Sequence, residues 1–142
     1  MKEETEKYFS TARKLMLNAD KRFAIALYED AGRNCYLAGM NAARGLLFED
    51  GFQVIKRHRT LYGGLSKVLH DRGIHDASLT AFLPTMANLK AIADYETGDD
   101  AITGERASAA MEAANQFIKK IEKIAGAPPN KVLRKGPRAS PK

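Results

Sequence analysis

From Asp30 to Glu49 the chain carries apolar side chains at almost every angle of a helical wheel: Ala31, Cys35, Leu37, Ala38, Met40, Ala42, Ala43, Leu46 and Leu47. A helix without a continuous polar face belongs in an interior. Small residues at positions 38, 39, 42, 43 and 45 keep it thin, so neighbouring helices can approach its backbone closely. The segment is predicted to be the central, most buried helix, capped by Asp30 and stopped by Gly51.

Helical periodicity also dominates the flanks, and sustained two-residue alternation is absent. Tyr8, Ala12, Leu15, Ala19, Phe23 and Ala26 step by three or four, which predicts a first helix over about Glu4 to Leu27. A loop from Gly51 to Arg59 leads into a third helix, about Thr60 to Asp71, ending at Gly73. Asp76 is placed to cap a fourth, about Ala77 to Tyr95, which contains Pro84 and must bend there or leave a carbonyl unpaired. Thr103 is placed to cap a fifth, about Gly104 to Ala125, with the stripe Ala107, Met111, Ala114, Phe117, Ile118 and Ile121. The expected fold is all-α, an antiparallel up-and-down bundle of four to five helices. It should occupy residues 1–126, followed by a basic, proline-containing, disordered tail over 127–142.

Charge separates body from tail. The formal net charge is +6, but 18 lysines and arginines meet 17 acids before residue 126, so the body is near neutrality. The excess lies on Lys131, Arg134, Lys135, Arg138 and Lys142. Basicity is thus no argument for a nucleic-acid-binding surface on the body. The single cysteine excludes an internal disulfide framework and fits a reducing compartment. A charged start and the lack of a long apolar run predict a cytoplasmic protein with no membrane contact.

The fourth helix ends in Asn88-Leu89-Lys90-Ala91-Ile92-Ala93-Asp94-Tyr95. Lys90 and Asp94 share a helix face, but the acid follows the base. That order is the weaker one for an ion pair and sets a carboxylate at the negative end of the helix dipole. Lys90, Asp94 and Tyr95 are candidate site residues; the plain alternative is an ordinary helix end. His58 lies within Lys56-Arg57-His58-Arg59, a run able to meet phosphate oxygens or to be a solvated basic loop. Arg33 and Arg44 are eleven residues apart, three turns, and therefore share a face of the central helix, to line a cleft or to pair with acids. His70, His75 and the acids from Asp94 to Asp100 lack metal-ligand spacing, so no metal site is expected. Cys35 reads as a core thiol.

The run from Asp30 to Leu47, with Tyr36, spaced small residues and the ending Ala42-Ala43-Arg44-Gly45-Leu46-Leu47, resembles the second-helix signature of small one-domain members of the HEPN superfamily. Lys56 to Arg59, followed by Leu61 and Gly63, is similar to the basic loop and third-helix start of that branch. Leu89 to Tyr95 resembles its fourth-helix ending, and Ala107 to Ile121 its last helix. The similarity spans about residues 5 to 125.

This resemblance implies a helical homodimer without a cofactor. Many such proteins are metal-independent ribonucleases, often toxins paired with a small nucleotidyltransferase antitoxin. Their shared motif is an arginine followed a few residues later by a histidine, near the end of the fourth helix. Here Lys90 holds the arginine position and Tyr95 the histidine position. Lysine meets phosphate as a point charge rather than bidentately, and tyrosine is a poor general base at neutral pH. Two functions stay open. One is ribonuclease chemistry, with Lys90 on phosphate charge, His58 or Tyr95 in proton transfer, Asp94 in orientation, and Arg33, Arg44, Lys56, Arg57 and Arg59 holding RNA. The other is a noncatalytic binding or scaffold protein that keeps the bundle and has lost the chemistry.

Overall fold

The computed structural model describes residues 1–52, 58–95 and 102–128, with side chains described for 1–52, 60–89 and 102–128. It contains helices α1 (Glu3–Ala24), α2 (Tyr28–Glu49), α3 (His58–Asp71), α4 (Ala77–Tyr95) and α5 (Gly104–Gly126). The expected all-α bundle is observed. No helix among the described residues is long and apolar enough to cross a membrane. The acidic loop at 96–101 and residues 129–142, which include the five basic tail residues, lie outside the described residues.

Helix α2 is the axis, packed by α1, α3, α4 and α5. Its glycines mark the close approaches. A Cβ on Gly39 would overlap the Phe82 ring of α4, and one on Gly45 would press on Phe9 and Tyr8 of α1. Gly64 of α3 in turn meets Leu47 of α2. Phe82 stacks on Phe117 of α5 with ring centroids 4.3 Å apart, closing the core behind α2. At the end of the bundle where α4 finishes and α5 begins, Ile102 and Ala107 form a satellite cluster with Phe23, Tyr28 and Leu89.

Three helices end in the same way. Gly51 and Gly73 adopt left-handed φ values of 82° and 75°. In each case the next residue donates its N–H five residues back, Phe52 to Leu47 and Ile74 to Leu69. This is the Schellman cap that the two glycines predicted. The end of α1 has the same bonds, Leu27 to Arg22 and Ala26 to Phe23, but Ala26 occupies the left-handed position at φ 62°. The first helix therefore stops at Ala24, not Leu27. Its buried stripe keeps the expected Ala12 and Ala19 but takes Phe9 and Met16 in place of Tyr8 and Leu15. Phe9, Ala12, Met16 and Ala19 are buried, Tyr8, Leu15 and Phe23 are half-buried, and Ala26 is exposed.

Two expectations for α2 are corrected. Asp30 does not cap it; the N-cap is Leu27, with no side-chain cap, and Asp30 lies inside the first turn, bound to Arg33 at 2.8 Å. Nor is α2 buried all round, because Leu37 is 43% exposed. The other two caps form as expected. Asp76 accepts from the Ser78 amide at 3.0 Å, and Thr103 from the Arg106 amide at 3.2 Å. The α4 helix runs through Pro84. Pro84 and Thr80, whose carbonyl the proline cannot serve, are both exposed, so water can take that bond.

A buried ion pair fastens the other end. The guanidinium of Arg72 binds both carboxylate oxygens of Asp50, and its third nitrogen donates to the carbonyls of Ile124 at 2.7 Å and Ala127 at 3.2 Å. Both side chains are nearly inaccessible, at 4% and 6%. One residue thus joins the C-terminal ends of α2, α3 and α5. Arg72→Ala strands a buried carboxylate and two carbonyls, and is expected to cost about 3–5 kcal/mol in urea unfolding. Conversely, Ala26→Gly relieves a left-handed alanine and should gain about 0.5–1 kcal/mol in the same assay.

Candidate functional site

Among the described residues, the helical repeat of α2 leaves one stripe partly open, between the flanks packed by α1 and α3. It reads Arg33, Leu37, Asn41, Arg44 and Phe48, at intervals of four, four, three and four residues. Arg33 and Arg44 do share a face, as their spacing predicted, and both are half-buried. Leu37 stands exposed between them. Arg33 is braced by Asp30 one turn earlier, whereas Arg44 has no ion-pair partner among the described residues. Two arginines, one of them paired with Asp30, therefore flank an exposed leucine on the most buried helix of the protein.

Beside this stripe, Tyr36 and Tyr62 join α2 to α3 through a hydroxyl–hydroxyl hydrogen bond of 2.8 Å. Tyr36 is 1% exposed. Burial, reinforced by the bond to Tyr62 and opposed by the charge of Arg44, pushes its hydroxyl far above the usual phenol range. The hydroxyl stays protonated at neutral pH and is no base. Tyr62 is half-buried on the α3 face that meets α2. Sequence reasoning singled out Tyr36 but passed over Tyr62; the only signal for Tyr62 is its place one turn into a helix that opens on a basic run.

The remaining candidates distribute as follows. Lys90, Asp94 and Tyr95 lie on the backbone of α4 in its last two turns, and His58 and Arg59 open α3. The side chains of these five lie outside the described residues, as do Lys56 and Arg57 altogether. His70 and His75 pack edge to face across the end of α3, with centroids 6.5 Å apart. They lie more than two turns along the chain from Tyr62 and take no part in the stripe. Among the described residues no group of three His, Cys, Asp or Glu is placed to hold a metal. Cys35 is fully buried on the core side of α2, and burial, with a smaller contribution from Asp20, pushes its thiol up to about 12. It is unsuited to nucleophilic chemistry.

Two half-buried arginines on either side of an apolar surface suit anion binding. Comparison with known families gives one result. The HEPN domain model matches residues 5–124, nearly the whole described body. Comparison with curated proteins finds no match.

The raised pKa of Cys35 sets a pH dependence. A thiol held neutral by the fold favours the folded state fully below its ordinary pKa of 9.0, and this contribution is lost as pH rises toward about 12. Urea midpoints should fall between pH 8.5 and pH 11, values chosen to bracket the onset. Cys35→Ala should lose less stability over that interval; an equal loss in both proteins would remove the thiol from the account.

Proposed function

The chain belongs to the HEPN family, and on that premise we propose that it is a homodimer that binds RNA, the toxin half of a toxin–antitoxin pair. The observation that carries this reading is the α2 stripe, where Arg33 and Arg44 flank exposed Leu37. Exposed leucine on an otherwise buried helix suits a subunit contact, and flanking arginines suit phosphate oxygens on either side of it. In this reading Lys90 supplies further positive charge at the end of α4, Tyr95 or His58 moves the proton, Asp94 orients, and Lys56, Arg57 and Arg59 guide the RNA backbone. A small nucleotidyltransferase is the proposed partner.

A noncatalytic binding role is the second reading, and one observation favours it. The Tyr36 hydroxyl beside the stripe is held protonated, and neither His70 nor His75 reaches the stripe. Without a proton acceptor, phosphate binding does not lead to strand cleavage.

The readings separate in a nuclease assay on the purified protein with single-stranded RNA in chelator. Metal-independent cleavage lost in both Lys90→Ala and Tyr95→Phe supports the toxin. Binding without cleavage leaves the scaffold role, and equal cleavage by wild type and both variants marks a contaminating nuclease. Leu37→Glu should convert a species of twice the chain mass in light scattering to the monomer; an unchanged mass would place any subunit contact elsewhere.

A further inference from the structure

Between Asp76 and Lys90 the chain has no charged side chain, although charged residues make up 28% of the sequence. This stretch is α4, and much of it faces solvent: Thr80, Ala81, Pro84, Thr85 and Asn88 are exposed. Solvent-facing helices ordinarily carry their charges on that face. Next to it runs a groove between α4 and α5. Its two parts, of about 460 Å³ and 270 Å³, share Thr85, Met86 and Ala113, so they form one continuous furrow. The furrow lies between α4 and α5, whereas the α2 stripe lies between α1 and α3.

We propose that this groove docks an amphipathic helix of a partner protein, with leucine-type anchors and acidic ends. Small side chains on both walls, Ala81 and Thr85 facing Ala109 and Ala113, leave room for a helix backbone to come close. The furrow extends along α5 from Arg106 to Lys120, about 21 Å at the helical rise. That matches roughly four turns of a docked helix. The two deeper parts are offset by about two turns, so they accept side chains at i and i+7, the spacing of helix-in-groove recognition.

Charge selects the occupant. Among the described residues, the charged groups lining the groove are Arg106 at one end and Lys120 at the other, with no carboxylate. Lys120 shares its charge with Asp76 at 3.1 Å, and Arg106 has no ion pair among the described residues. A second copy packed groove to groove about a two-fold axis would set Arg106 against Lys120, cation against cation. The chain's own C-terminal tail, with Lys131, Arg134, Lys135, Arg138 and Lys142 and no acid, meets the same repulsion. An acidic helix meets neither penalty.

The test uses the full chain, isotopically labelled, and a synthetic helical peptide with Leu at i, i+3 and i+7 and Glu at both ends. Titration should shift amide resonances of Thr85, Ala109 and Ala113 and saturate. Arg106→Glu should weaken binding about fivefold and be restored by a peptide with Lys at the matching end. Ala109→Glu, on an exposed helix position, should weaken it at least about tenfold. Shifts scattered over the surface, equal binding of an all-Lys peptide, or groove resonances that move with protein concentration alone would overturn the proposal, the last in favour of a second copy.

Discussion

Every other contact in this protein depends on how closely α2 lets its neighbours come. Alanine and glycine line its buried sides, so α1 and α4 pack on backbone rather than on bulky side chains. Phe9 from α1, Phe82 from α4 and Phe117 from α5 fill the core together with Tyr36, Met40 and Leu46 of α2 itself. Because α2 is thin, four helices can reach it, and among the described residues one further aspect is left partly open. Along that aspect Arg33, Asn41, Arg44 and Phe48 are half-buried and Leu37 is exposed.

The ends of the bundle are held by different means. At one end, Arg72 binds Asp50 and the final carbonyls of α5, so three helix termini share one guanidinium. At the other, the α1–α2 turn relies on a left-handed alanine and leaves Ile25 67% exposed. A buried ion pair is costly to break and a strained turn is cheap to open. The Arg72 end is therefore the anchored one, and the α1–α2 turn is the more easily opened.

Much of this was legible in the residues. Helix stops at Gly51 and Gly73 were visible because glycine at that position has a backbone reason to be there; the stop at Ala26 was not, because alanine carries no such mark. The phase of α1 was ambiguous because apolar residues occur in pairs, Tyr8-Phe9 and Leu15-Met16, and periodicity alone does not say which of each pair is deeper. Arg72 and Asp50 lie 22 residues apart with no helical register between them, so only the folded chain reveals the pair. Arg33 and Arg44 were placed on one face by their spacing. What spacing could not show was that this face is the open one, since the apolar Leu37 between them argued for burial. Lys90, Asp94, Tyr95 and His58 remain candidates on sequence grounds, as members of the segments that resemble the family.

The central claim is that the α2 stripe is where this protein meets a phosphate backbone. Fluorescence anisotropy of a labelled single-stranded RNA, followed against salt concentration, tests it most directly with wild type and Arg33→Ala/Arg44→Ala. Each phosphate contact on a single strand contributes about 0.7 to the slope of log K against log salt, so the double variant should lower the slope by about 1.4. Unchanged slope and affinity would contradict the claim and move RNA contact off this face.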